Sequence, residues 1–167
     1  MTEMTPHEQI AATIEREHAA WRALVDEVGR DGMDEPGPMG EWTFRDLAAH
    51  LLGWRERSIG RLRALGEGRD EPPEPWPSDV DGDDVDQINA WMQDRMADRS
   101  LDEVLAAVDA SYGQLAAALA ALPADVLTTP NGVPWLEGES ALTTDWLGHL
   151  HDEHDVGIRA WLESRDR

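Results

Sequence analysis

Apolar residues recur along this chain at steps of three, four and seven, the mark of helices that bury one face. The first stripe is Ile10, Ile14, Trp21, Leu24, Val25 and Val28. It opens at Thr5-Pro6-His7-Glu8. There Thr5 is an N-cap, Pro6 fits the first helical position, and Glu8 completes a capping box. Gly29 and Gly32 end this helix. A second stripe runs through Phe44, Leu47, Leu51, Trp54, Ile59, Leu62 and Leu65. It follows a cap at Thr43 with Asp46 as its partner. Trp42 and Leu47 stand at hydrophobic-staple spacing around that cap. Gly66 and Gly68 close it. A short helix from about Asp84 to Ala97 carries Val85, Ile88, Met92 and Met96. A third cap, Ser100 with Glu103, starts the stripe Val104, Leu105, Val108, Tyr112, Leu115, Leu119 and Leu122, which Pro123 stops. The pattern predicts a last helix from about Ala141 to Glu163, with Leu147, Leu150, His154, Ile158 and Trp161 on one face.

The segments between read as loops. Residues 66–82 are acidic, with prolines at 72, 73, 75 and 77, and form a crossover. Residues 123–139 read as a second loop. No segment alternates with period two for long enough to be a strand. Each long helix has about 20 residues and so spans roughly 30 Å. Four such helices of matched length predict an all-α four-helix bundle with one extra short helix in the crossover. A chain of 167 residues suits one domain over 1–167.

Composition narrows the function. The chain has 14 basic and 35 acidic residues, a formal charge of -21. All the basic residues are Arg. Such a surface repels nucleic acid and anionic membranes, so neither is expected as a partner. Cysteine is absent, so a metal site must use His, Asp or Glu. The N-terminus is polar and acidic, unlike a signal peptide, and a cytoplasmic location is expected. Eight Trp stand beside one Phe and one Tyr. Most read as core or staple residues, while Trp54, one turn after His50, is the first choice to wall a pocket for a flat or apolar ligand.

The six histidines are His7, His18, His50, His149, His151 and His154. His50 falls on the buried side of the second helix. At 100° per residue, measured from His154, Leu150 lies at about −40° and His151 at about +60°. His149 falls roughly 140° away, on the solvent side. The spacing therefore turns His151 and His154 inward with His50, as candidate catalytic groups and metal ligands. Three imidazoles suit Zn²⁺ or Ni²⁺ and leave a coordination position open. Asp46, one turn before His50, is the candidate to orient its ring. His18 lies near the first stripe and could line the same cavity, or pack half-buried near Trp21. The same histidines could equally be hydrogen-bonded core or rim residues. The run from Asp79 to Asp86 lacks the Gly and bidentate Glu of a calcium loop and reads as a solvated loop favouring the next helix.

The stretch Trp42-Thr43-Phe44-Arg45-Asp46-Leu47-Ala48-Ala49-His50-Leu51-Leu52-Gly53-Trp54 resembles the second-helix signature of DinB-like four-helix bundles. Asp86-Gln87-Ile88-Asn89-Ala90, Ser100-Leu101-Asp102-Glu103-Val104-Leu105 and His151-Asp152-Glu153-His154 are similar to its ClbS/DfsB branch. The resemblance implies an up-down-down-up bundle. It implies a divalent metal held by one His of the second helix and an i,i+4 His pair of the last. Relatives include mycothiol-dependent maleylpyruvate isomerases and thiol-transferases. The ClbS branch includes proteins that protect a producer from a reactive natural product, in some cases by hydrolysis without a metal. Carried over by position, His50 and His154 match two ligands, while the third position falls on Leu150. His151 then stands in at i,i+3, and Leu150 becomes a substrate-facing residue with Trp54 and His18.

The sequence thus leads to a metal-dependent hydrolase or thiol-dependent transferase. Its substrate would be a small electrophilic or hydrophobic molecule, in detoxification or self-resistance. The expected cofactors are Zn or Ni and a low-molecular-weight thiol. The alternatives are a metal-free pocket that sequesters a small molecule, in which His50, His151 and His154 act as hydrogen-bond donors or general acid/base groups, and a vestigial bundle that pairs as a homodimer.

Overall fold

The computed structural model describes residues 3–166. Residues 1, 2 and 167 of the expected 1–167 domain lie outside that range. The described chain is mostly helical. Six α-helices follow in order: α1 (Pro6–Val28), α2 (Phe44–Gly66), α3 (Val85–Asp94), α4 (Leu101–Ala120), α5 (Ala124–Thr128) and α6 (Asp155–Arg165). The capping boxes at Thr5, Thr43 and Ser100 all form. Each closes two backbone groups that would otherwise lack partners. Asp84 caps α3 by accepting from the Asp86 and Gln87 amides.

Helix α2 packs most extensively against α4, and α4 also lies on α1. Between them Trp21, Phe44, Leu47, Leu62, Leu115 and Leu119 are fully buried. Trp21 stacks on Phe44 with ring centroids 5.5 Å apart. Helix α3 covers the open side of α2, and Gly53 admits it. A Cβ at Gly53 would meet the Met92 side chain at 2.6 Å.

Three expectations need correction. A small antiparallel hairpin, β1 (Pro36–Gly37) and β2 (Gly40–Thr43), stands where no strand was expected. It is too short to show period-two alternation. Gly37 has φ 133, and a Cβ there would lie 2.4 Å from the Trp161 ring of α6. Only glycine suits both the backbone and the space. The loop after Pro123 contains α5, whose Leu127 is fully buried. A helix of one turn leaves no periodic stripe to read.

The last helix also starts later than Ala141. Ser140 gathers its own chain: its carbonyl accepts from the Thr143 and Thr144 amides, both at 3.1 Å. The Trp146 indole N–H bonds the Ala141 carbonyl at 2.9 Å. Local side-chain bonds of this kind compete with the helix ladder. Residues 141–147 therefore form turns, and Asp145 Oδ1 accepts the Leu147 amide at 3.2 Å as helix begins. Between that start and α6, Leu150–His154 form a π-helical turn. No helix among the described residues is long and apolar enough to cross a membrane.

Candidate metal centre and adjoining cleft

Three histidines meet between α2 and the π turn. His50 Nε2 lies 2.7 Å from His149 Nε2, and His154 Nε2 lies 3.1 Å from the same atom. The three ring centroids are 4.9 to 5.4 Å apart. His50 is buried at 1% exposure, and the other two are half-buried. Trp42, from β2, closes one side with its ring edge-on to His50 at 5.8 Å.

The trio differs from the sequence expectation in one member. His149 was expected on the solvent side and instead touches both partners. His151 was expected inward, yet it points away and bonds Glu17 of α1. The cause is the π turn. An α-helix places residues five apart about 140° out of line. A π turn spends one more residue per turn, so positions five apart share a face. The same extra residue explains why four-residue spacing from His154 falls on Leu150. The sequence carries the needed histidine one place earlier, and only the backbone irregularity shows it.

Two more candidates do other work. Asp46 does not orient His50. Its Oδ2 accepts the Thr43 amide and hydroxyl, both at 2.9 Å, within the cap of α2. His18 does not reach the trio. It stacks on Tyr112 at 4.5 Å and pairs with Asp109.

Burial, and then the proximity of His149 and His154, push the His50 pKa down to about 3, with Asn89 opposing. Burial and then His149 lower that of His154, with Glu153 opposing. Both rings are therefore mainly neutral near pH 7. A neutral imidazole with its proton on Nδ1 presents the Nε2 lone pair, and here all three Nε2 atoms face one another. Two ligands at about 2.0–2.1 Å from a tetrahedral Zn²⁺ stand about 3.3 Å apart. The observed 2.7 and 3.1 Å need only a small opening to reach that. On the far side of the ring, His50 Nδ1 is buried without a hydrogen-bond partner. Asn89 of α3 is its nearby polar neighbour, and its Oδ1 already accepts the Trp54 indole N–H at 3.0 Å. Glu153 stands 3.5 Å from His149 Nδ1. Donor type, the lowered pKa of His50 and His154, and spacing all fit a divalent metal.

A cleft of about 180 Å³ adjoins the trio. Leu51, Trp54, Arg55 and Ser58 of α2 line one wall. Asp145, Trp146, Leu147, His149 and Leu150 line the other. Trp54 and Leu150, two of the residues read from the sequence as substrate-facing, both line this cleft. This volume is below the usual range for drug-sized ligands and suits a small molecule. The sequence reading missed His149 and Arg55. The first was hidden by assuming a regular helix. The second carried a signal, since an Arg one residue after Trp54 falls within the apolar stripe's reach.

Residues 14–156 match the family model described as the mycothiol maleylpyruvate isomerase N-terminal domain. No curated protein and no solved structure matches this chain.

Proposed function

The chain belongs to the mycothiol maleylpyruvate isomerase N-terminal domain family, a DinB-like group, and from that premise we propose that it is a metal-dependent enzyme acting on a small electrophile. His50, His149 and His154 would hold one divalent ion, Zn²⁺ or Ni²⁺. Such an ion with an open position polarises an electrophile or lowers the pKa of a bound water or thiol. The chain's own part is to hold three imidazoles together, with His50 and His154 kept neutral by burial. Trp54, Trp146 and Leu150 give the substrate an apolar seat beside them, and Trp42 limits access of water. A low-molecular-weight thiol of the mycothiol kind is the co-substrate that the family suggests. Hydrolysis is the alternative outcome at the same centre.

The observation that carries this reading is the convergence of three imidazoles, with His149 Nε2 2.7 Å from that of His50 and 3.1 Å from that of His154. Its test is elemental analysis of protein purified without a metal-affinity column and then exposed to Zn²⁺. We expect about one metal per chain. His50→Ala, His149→Ala and His154→Ala should each lose it, and His151→Ala should keep it. Retention by His149→Ala together with loss by His151→Ala would overturn the assignment. Consumption of an electrophile that continues in thiol-free buffer would identify the reaction as hydrolysis.

A further inference from the structure

One permanently charged side chain is buried among the described residues, Arg55 at 8% exposure. Taking a guanidinium out of water is costly, and buried cations are ordinarily paired with an acid. Arg55 has no such partner among the described residues. Nη1 donates to Ser111 Oγ at 2.7 Å, and the Ser111 hydroxyl donates onward to the Val108 carbonyl at 2.6 Å. The Tyr112 ring lies beneath, with Cζ 4.0 Å from its centroid. These contacts fix the guanidinium plane without neutralising it. Arg55 also lines the cleft that His149 lines, with Leu51, Trp54 and Leu147 as apolar neighbours. Asp145 also lines the cleft but forms no ion pair with Arg55; its Oδ1 accepts the Leu147 amide.

We propose that Arg55 is the anchor for a carboxylate on the molecule bound in this cleft, and that the ligand is a small apolar compound carrying one such group. The assignment rests on the cleft being the substrate site. A fixed guanidinium offers parallel N–H donors that match a carboxylate fork. The walls supply apolar surface for the remainder of the ligand. A single negative charge also suits the molecule, since a chain of net charge -21 repels multiply charged anions more strongly at long range.

The test compares two probes of nearly equal shape, phenylacetate and phenylacetamide, by isothermal titration calorimetry. Each is titrated into zinc-loaded protein and into protein treated with a chelator. Phenylacetate should bind about tenfold or more tightly than the amide in both forms. Arg55→Gln should remove that preference, and Arg55→Lys, which keeps charge but not the fork, should retain part of it. Equal binding of the two probes by the unaltered protein would overturn the proposal without need of any variant. So would a preference seen only in the zinc-loaded form, because the metal would then be holding the carboxylate. A chelated protein that keeps the preference while taking up no zinc would uphold Arg55 and sink the metal reading alone.

Discussion

At the scale of single residues, proximity in sequence was a poor guide to partnership. Asp46 sits one turn from His50, yet the Thr43 cap holds its carboxylate. Asp46→Ala should therefore lower stability by about 1 kcal/mol, the usual worth of a cap, and leave metal uptake unchanged. Urea unfolding and elemental analysis of one preparation check both halves. Lost metal with unchanged stability would restore the orienting role. The neighbour on the far side of His50 is Asn89, which lies 39 residues on in another helix. Asn89 falls in the 86–90 run that resembles the ClbS/DfsB branch, but that run gives it no role beside His50, because its place depends on α3 packing across Gly53. His50 and Trp54 were legible for the opposite reason. They lie one turn apart on a regular helix, whose period alone places His50 on the buried side.

At the scale of elements, regular helices were read well and irregular backbone was not. The caps at Thr5, Thr43 and Ser100 each carry a two-residue chemical signature. The hairpin, α5 and the π turn carry none, being set by contacts with distant chain. The hairpin illustrates the dependence, since Gly37 needs both its positive φ and the absence of a Cβ against Trp161. Gly37→Ala should destabilise the protein by about 1–3 kcal/mol, measured by thermal or urea unfolding. The π turn offers a cleaner trial. Such a turn amounts to one residue inserted into an α-helix. Deleting Asp152 would leave His149 and His154 four apart in a regular helix, again on one face. We expect such a variant to keep its metal, and loss of metal with the fold intact would show that the wide turn itself shapes the centre.

For the molecule as a whole, charge separates what is permanent from what is conditional. The acidic crossover is held to α2 by Arg57 with Glu74 and Arg61 with Glu71, and Trp76 meets Trp54 edge-on at 6.0 Å. These pairs are partly exposed, so salt should weaken them. Hydrogen bonding to Arg57 holds the Glu74 carboxyl below its ordinary value of 4.5. A depressed carboxyl stabilises the fold fully above its unfolded pKa and ceases to do so as pH falls through its folded one. Stability should thus decline below about pH 4.5 in part through Glu74, and Glu74→Gln should flatten that part of an unfolding profile taken against pH. The net charge, the caps and the helical stripes were all visible in the sequence. The choice of which three imidazoles converge was not, because it depends on a single wide turn. That turn makes the number of donors a property of backbone hydrogen bonding. Were it to tighten, one ring would swing through about 100° and leave a two-donor pair. Amide exchange across residues 150–154 should consequently slow when zinc is added, so the main chain itself reports whether the ion is home.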